Sequence, residues 1–125
     1  MSFWKKDTNY TTWCEKEKEI AVFCGQFLID LGYKAEVYDY SVDFKKDGKC
    51  ISVAFERYNK WVDFFIVFDG DRKIYNVRNI AFVRDSIYSD PEEVMNTIIL
   101  IMEYIKNNFE KITNYKYCKD SDKLM

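Results

Sequence analysis

Histidine is absent from the sequence, and glycine, proline and cysteine are scarce, at four, one and four residues among 125. Histidine is the commonest general base and the commonest metal ligand, so its absence excludes Ser-His and Cys-His nucleophile pairs. The few glycines form no phosphate-binding loop, which argues against nucleotide binding of the familiar kinds. These absences predict a chain that is not an enzyme and that holds no metal or cofactor.

The four cysteines, Cys14, Cys24, Cys50 and Cys118, are irregularly spaced and form no Cys-x-x-Cys pair. Isolated thiols of this kind are typical of a reducing compartment. No apolar run approaches the ~18 residues that a membrane span requires, and the N-terminus lacks the apolar stretch of a signal peptide. We therefore expect a cytoplasmic protein that does not enter a membrane.

Neither sign of charge is in large excess, because 19 basic and 21 acidic residues leave a net charge of −2. The lysines and arginines are dispersed and form no basic arm or stripe, so nucleic acid is not an expected partner. Hydrophobic residues make up 48% of the chain, which is enough for one core. We predict a single domain over residues 1–115, followed by a flexible C-terminal tail over residues 116–125.

Two segments place apolar residues at helical spacing. The first begins at a capping box, Thr12-Trp13-Cys14-Glu15, and ends before Gly32, which is expected to adopt the left-handed conformation that closes a helix. The second begins at Asp90-Pro91, where a capping residue precedes a proline, and fades near Ile112. One helix is therefore predicted near each end of the chain.

Between these helices, three turn signals interrupt segments rich in Val, Ile, Phe and Tyr: Asp47-Gly48, Asn59-Lys60 and Gly70-Asp71. Such dipeptides between apolar runs indicate hairpins, since the favoured turns need positive φ angles. The strands are expected near residues 35–45, 49–58, 61–69 and 73–83. The sequence thus predicts an α-β-β-β-β-α order, in which a four-stranded antiparallel meander carries both helices on one face. This is a two-layer α+β sandwich.

Two-residue loops at the first two turns place one set of apolar residues on a single face of the sheet. The residues paired across the first turn are Phe44 and Ile51, Val42 and Val53, and Tyr40 and Phe55. Those paired across the second turn are Phe55 and Phe64, Val53 and Ile66, and Ile51 and Phe68. The third turn leaves two alternatives: a two- or four-residue loop turns Tyr75 and Val77 inward, whereas a three-residue loop turns Ile74 and Ile80 inward.

The opposite face of this predicted sheet carries an acidic row beside an apolar patch. The row consists of Asp39, Glu56 and Asp63, and the patch consists of Trp61, Phe65 and Val67. Arg78 is expected to lie across from Asp63 and to relieve part of the repulsion between the acids. Aromatic side chains among carboxylates on an uncovered sheet are typical of a face that binds a basic protein partner.

A second interpretation is that the third strand is apolar on both sides because it lies at the centre of a sheet that is covered on both faces. The cover would be the N-terminal segment with Phe3 and Trp4, or a second copy of the chain. Both interpretations stay open at the level of the sequence.

Two short segments resemble known proteins of this size: Leu31-Gly32-Tyr33, which ends a helix before a sheet, and Ser52-Val-Ala-Phe-Glu-Arg57 in the second predicted strand. With the layout from Thr12 to Tyr115, they resemble the small cytoplasmic immunity proteins of bacterial toxin systems. Phage-encoded inhibitors of similar size are an equally good match. The resemblance implies a protein that inhibits a toxin or nuclease by covering its basic active site.

Under this resemblance Trp61 and Phe65 would be the anchors, and the three acids of the predicted row would speed association by charge steering. Two other classes of function remain open. One is a homodimeric structural or adaptor domain that uses the same face. The other is a small-ligand binder with a pocket between sheet and helices, lined by residues such as Tyr40 and Tyr75.

Overall fold

The structure is a computed structural model, and it describes residues 12–125. The cover suggested for the sheet, Phe3 and Trp4, lies outside these residues. The elements follow in the order α1 (Glu15–Cys24), α2 (Gln26–Asp30), β1 (Lys34–Val37), β2 (Ser41–Lys46), β3 (Lys49–Phe55), β4 (Val62–Phe68), β5 (Ile74–Asn76), α3 (Val77–Asp85), α4 (Val94–Asn107), α5 (Phe109–Ile112) and α6 (Tyr115–Asp122).

Each strand is joined to the next by a short turn, so the sheet is an antiparallel meander in the order β1-β2-β3-β4-β5. The predicted α+β class and the antiparallel sheet are confirmed, but the sheet has five strands rather than four. The first predicted strand is divided by a tight turn in which the Tyr38 amide donates to the Ser41 carbonyl at 2.8 Å. This turn, Tyr38-Asp39-Tyr40, contains neither glycine nor proline, so it lacks the usual turn signals.

The fourth predicted strand, residues 73–83, is a short strand followed by a helix. β5 ends at Asn76, whose side-chain oxygen accepts the Asn79 amide at 2.9 Å and so caps α3. Val77, Ile80 and Ala81 are buried in α3 with the spacing of a helix. The prediction was wrong here because the β-branched residues Val77 and Ile80 suit a strand, whereas the cap at Asn76 and the helical spacing favour a helix.

The segment predicted as a flexible tail, residues 116–125, instead contributes most of helix α6. Asn114 caps the helix by accepting the Tyr117 amide at 2.9 Å, and Cys118 and Ser121 are buried. Arg84 in α3 donates through Nε to the Ser121 hydroxyl at 2.8 Å. The many charged residues of this segment lie around a buried helical face that composition alone did not indicate.

The register of the sheet follows the prediction at the first turn and differs from it at the second. Asp47 and Gly48 have φ angles of 46° and 76°, and they form the expected two-residue loop. The pairs between β2 and β3 include Phe44 with Ile51 and Val42 with Val53, as predicted. The pairs between β3 and β4 are Phe55 with Val62, Val53 with Phe64 and Ile51 with Ile66, two residues away from the prediction.

This shift leaves the assignment of faces intact, because side chains alternate with a period of two along a strand. Val62, Phe64, Ile66 and Phe68 all point into the core, as their alternation with partly exposed residues shows. At the third turn Ile66 pairs with Tyr75, which is buried, whereas Ile74 is exposed. The alternative with a two- or four-residue loop, which turns Tyr75 inward, is therefore correct, and the one with a three-residue loop is wrong.

The core lies between the sheet and the helices. Helix α1 contacts β2, helix α4 contacts β4, and the two helices contact each other, so both cover the same face. The inward residues Phe44, Ile51 and Phe64 are fully buried beneath them. The predicted end of the first helix is also confirmed, because Gly32 has a φ of 99° and the Tyr33 amide donates to the Leu28 carbonyl at 2.9 Å.

A buried lysine joins α1 to the turn between β1 and β2. The side chain of Lys18 is 3% exposed and forms an ion pair with Glu15 at 3.1 Å. Its Nζ donates to the carbonyls of Tyr38 at 3.1 Å and Asp39 at 3.0 Å. Lys18 thus fixes the turn that divides the first predicted strand, although it lies in a run of alternating charges, residues 15–19.

Gly25, between α1 and α2, allows the helical segment to approach β2 closely. A Cβ atom at this position would lie 2.4 Å from Cζ of Phe44, which is fully buried. We expect Gly25→Ala to lower the free energy of unfolding by about 1–3 kcal/mol, because overpacking a full core forces side chains away from their preferred rotamers. Urea denaturation measures this change.

The control is Gln26→Ala at the exposed neighbouring position, which should change stability by less than about 0.5 kcal/mol. In a Phe44→Leu background the cost of Gly25→Ala should shrink, since the clashing ring is gone. Equal costs of Gly25→Ala in both backgrounds would contradict this account.

Candidate functional site

The face of the sheet opposite the helices is termed the open face. Three cross-strand rows of side chains compose it, as the strand pairing shows. The central row is Glu36, Asp43, Ser52, Phe65 and Asn76; on one side of it lie Lys34, Lys45, Cys50, Val67 and Ile74; on the other side lie Ser41, Ala54 and Asp63.

Chemically the open face has two halves. The strands β1 and β2 supply its charged half, with Lys34, Glu36, Asp43 and Lys45. The strands β3, β4 and β5 supply five apolar residues, Cys50, Ala54, Phe65, Val67 and Ile74, which we term the apolar half, and the same strands also bring Ser52, Asp63 and Asn76 to this face. Ile74 is 57% exposed, and the others are partly exposed. Phe65 and Val67 therefore lie together on this face, as the sequence predicted.

The three acids of the predicted row are not brought together. Asp39 lies in the turn between β1 and β2, and Glu56 follows the last residue of β3. The cross-strand neighbour of Asp63 is Ala54, whose neighbour on β2 is Ser41. The prediction of this row was wrong because the chain turns after Val37 and because the register between β3 and β4 differs from the predicted one by two residues.

Asp63 is held by three donors. Arg78 donates through Nε at 2.9 Å, Asn76 through its amide nitrogen at 3.0 Å, and the Phe64 backbone amide at 2.9 Å. The side chains of Asp63 and Arg78 are 17% and 15% exposed. The expected proximity of Arg78 to Asp63 is confirmed, and this carboxylate is compensated within the chain.

Arg78 also fixes the segment 86–93 that connects α3 to α4. Its Nη1 donates to the carbonyl of Ser89 at 3.0 Å. The amide of Val62, at the start of β4, donates to the carbonyl of Pro91 at 3.0 Å. The connecting segment thus lies along the edge of the open face, next to the start of β4, which Trp61 precedes.

Exposed aromatic residues surround this edge. Trp61, Phe82 and Tyr88 are 39%, 57% and 74% exposed. A cleft of about 170 Å³ is lined by Arg78, Asn79, Phe82, Ile87, Tyr88 and Ser89. A wider depression, lined by Asn59, Lys60, Trp61 and Glu92, lies at the other side of the same segment.

The sequence predicted Trp61 and Arg78 in this region but missed Phe82 and Tyr88. Phe82 falls in the fourth predicted strand, and Tyr88 lies between that strand and the second predicted helix. The signal that could have found Phe82 is Asn76 followed by apolar residues three and four positions apart, which predicts a helix with Phe82 on its outer side.

The charged half of the open face is largely neutralised. Lys45 lies 2.7 Å from Glu36, and its hydrogen bond lowers the pKa of that carboxyl group. Asp43, directly across from Glu36, accepts the hydroxyl of Ser52 at 2.7 Å. In the part of the chain that the structure describes, no lysine or arginine lies within ion-pair distance of Asp43 or Glu56.

Cys50 is a weak candidate for covalent chemistry. Burial, followed by the nearby Asp43, raises the pKa of its thiol to about 11. The thiolate is the reactive form, so the thiol of Cys50 is a poor nucleophile near neutral pH. Within residues 12–125, no group of three or more Cys, Asp and Glu side chains could hold a metal ion.

The alternative of a ligand pocket between sheet and helices has little support at Tyr75. Its hydroxyl donates to Asp71 at 2.8 Å, so it already has a partner in the chain. The two concavities at the connecting segment open on the surface rather than between the layers.

Among residues 12–125, no helix is both long enough and apolar enough to cross a membrane.

The ion pair of Asp63 and Arg78 should contribute strongly to stability. We expect Arg78→Met to lower the free energy of unfolding by about 3 kcal/mol, because it leaves a mostly buried carboxylate without its cation. The double variant Asp63→Asn with Arg78→Met should recover part of this loss, since no uncompensated charge remains. Urea denaturation of the three proteins measures the effect.

The matched control is Arg72→Met, at an exposed position in the turn before β5, with an expected change below about 0.5 kcal/mol. If Arg78→Met costs no more than this control, the ion pair does not hold the edge of the open face.

The reactivity of Cys50 should depend on pH in a distinctive way. A pKa raised from 9.0 to about 11 leaves about a hundredth of the usual thiolate at pH 8, so iodoacetamide should alkylate Cys50 about a hundredfold more slowly than an ordinary cysteine. The rate should continue to rise until about pH 11. Mass spectrometry of the Cys50 peptide follows the reaction.

Asp43→Asn removes a charge that raises this pKa, so it should speed the reaction at pH 8. The control Asp30→Asn, at an exposed position in α2, should not. A rate that levels off near pH 9 in the unmodified chain would refute the raised pKa of Cys50.

Comparison with known proteins finds no match of any kind: no family model fits the chain, and neither a curated protein nor a solved structure is significantly similar to it. The function proposed below therefore rests on the residues of this chain and on their geometry.

Proposed function

We propose that the chain is a non-catalytic protein-binding module, an inhibitor of the immunity-protein type, whose partner docks on the open face. The observation that carries this proposal is the apolar half. An antiparallel sheet with one covered face normally presents polar side chains on the other. Here Phe65, Val67 and Ile74 lie there together, next to Cys50 and Ala54.

A contiguous apolar patch with a polar border is typical of a surface that binds another protein. The border on one side is the charged half, and on the other side it is the Asp63–Arg78 pair with the connecting segment. Trp61 is exposed at this second border, and tryptophan is frequent among the residues that dominate binding energy. Trp61 and Phe65 are the proposed anchors.

The proposed partner has a basic surface, although fewer acids support this than the sequence suggested. Asp63 is compensated by Arg78, and Asp39 lies in the turn between β1 and β2 rather than in the sheet. Asp43 in β2 and Glu56 after β3 carry no ion pair among residues 12–125. Their charges would speed the approach of a basic partner such as a toxin or nuclease, without supplying most of the affinity.

The proposed site of action is the cytoplasm, where the four cysteines, all free in this structure, would stay reduced. The absence of histidine and the weakly acidic Cys50 thiol favour inhibition by occlusion over catalysis. The partner identified by the capture experiment would distinguish a bacterial toxin from a host enzyme that a phage-encoded protein inhibits.

A second candidate is a homodimer that packs through the same face. It is favoured by the internal ion pairs Glu36–Lys45 and Asp63–Arg78, because a face with little net charge can pack against a copy of itself. Light scattering of the purified chain discriminates the two. A concentration-independent monomer excludes the homodimer.

The test of the proposed function compares three immobilised proteins: the unmodified chain, Phe65→Lys on the open face, and Phe23→Lys on α1. Phe23 is 79% exposed and lies in the helical layer, so its substitution is the matched control. We expect a partner captured from cells to be retained by the control and lost by Phe65→Lys, because a buried lysine without a counter-charge opposes docking.

Calorimetry with the purified partner should then show binding at least tenfold weaker for Phe65→Lys than for the control, and urea denaturation must show that both variants are folded. Equal affinity of Phe65→Lys and Phe23→Lys for the same partner would overturn docking on the open face.

A further inference from the structure

The cleft beside Arg78 is formed by a reversal of the chain after α3. Ser86 adopts the left-handed conformation, with φ 57° and ψ 31°, and the Ile87 amide donates to the Ala81 carbonyl at 3.2 Å. The segment 87–89 therefore runs back along the outer side of α3. Arg78, Asn79 and Phe82 of the helix form one wall, and Ile87, Tyr88 and Ser89 form the other.

This cleft is a fixed feature rather than a gap between loose segments. Arg78 donates to Asp63 through Nε and to the Ser89 carbonyl through Nη1, so it joins the sheet to the far wall. Ser89 itself is 7% exposed. A preformed cleft loses little conformational entropy when it is filled, which favours binding.

The size of the cleft limits its occupant. Pockets for drug-sized ligands usually measure at least about 300 Å³. A cleft of about 170 Å³ is smaller and is suited to a single side chain. Its rim is formed by Phe82 and Tyr88, which are largely exposed, and Ile87 lines it, so an aliphatic side chain fits its chemistry.

Acidic residues precede and follow the far wall of the cleft in the sequence, and the carboxylate of Asp85 accepts the hydroxyl of Tyr104 in α4. Asp85 lies one helical turn after Phe82 in α3, and Asp90 follows Ser89. With Glu92 and Glu93, they give residues 85–93 four acids and no base. The described residues provide no ion pair to any of these four carboxylates. A partner segment that enters the cleft would approach the acids of residues 85–93, for which the described residues supply no ion pair.

From these observations we infer that the cleft receives one aliphatic side chain of the protein partner, from a segment in which lysine or arginine flanks that side chain. The apolar rim binds the side chain, and the carboxylates of residues 85–93 bind the flanking cations. The inference rests on the proposed function, since it needs a protein partner. The partner segment in the cleft would make a second contact, at the edge of the open face.

The experiment uses capped tripeptides as probes: acetyl-Lys-Leu-Lys-amide, acetyl-Lys-Gly-Lys-amide and acetyl-Glu-Leu-Glu-amide. Amide chemical shifts of the full chain are recorded by NMR during each titration. We expect the Lys-Leu-Lys peptide to bind in the millimolar range and to shift the amides of Asn79, Phe82 and residues 87–89. The other two peptides should bind at least fivefold more weakly, because each lacks one of the two required features.

Variants locate the binding. Phe82→Ala removes one wall of the cleft at a largely exposed position and should weaken Lys-Leu-Lys binding at least fivefold. Phe23→Ala, an equally exposed phenylalanine in the helical layer, should leave it unchanged. Equal shifts with the leucine and glycine peptides, or shifts away from the cleft, would overturn the inference.

Failure of this inference can be distinguished from failure of the proposed function. If the peptide does not select the cleft while Phe65→Lys still abolishes partner binding, the inference falls and docking on the open face stands. If the peptide selects the cleft while the partner ignores Phe65→Lys, the inference stands and docking on the open face falls. A dimer of this chain that Phe82→Ala dissociates would also overturn the inference, because the cleft would then hold a second copy.

Discussion

Among residues 12–125, the helices cover one face of the sheet, and this is the constraint on which the other features depend. Phe44, Ile51 and Phe64 are fully buried on the face that α1 and α4 cover, whereas Phe65 and Val67 on the other face stay partly exposed. Core packing therefore does not require the apolar character of Phe65 and Val67 on the other side. Selection for stability alone would favour polar residues there, and this contrast is the basis of the proposed docking on the open face.

The sequence predicted which face each strand residue occupies more reliably than it predicted the elements themselves. Alternation with a period of two survives an even shift in register, so the burial of Ile66 was predicted correctly although its partner was not. The turn at Asp39 was missed because it is held by Lys18, a contact between residues distant in sequence. Helix α3 was missed because Val77 and Ile80 suit a strand as well as a helix, and only the cap at Asn76 decides between them.

The candidate site shows the same limit. Phe65, Val67 and the proximity of Arg78 to Asp63 follow from local pattern and approximate register, and these were predicted. The position of Asp39 depends on tertiary contacts, and the exposure of Phe82 and Tyr88 depends on the chain reversal after α3. The Asp63–Arg78 pair connects the two regions, because Asp63 belongs to the open face and Arg78 lines the cleft. A ligand that contacts both would be held by one rigid surface.

The contact of Lys18 with the main chain has a consequence for how this protein can evolve. Its ammonium group binds carbonyl oxygens at positions 38 and 39, and every amino acid supplies a carbonyl oxygen. Mutation of the two side chains therefore leaves this attachment in place. The tip of the first hairpin can diversify its chemistry among descendants while its placement against the first helix is inherited unchanged.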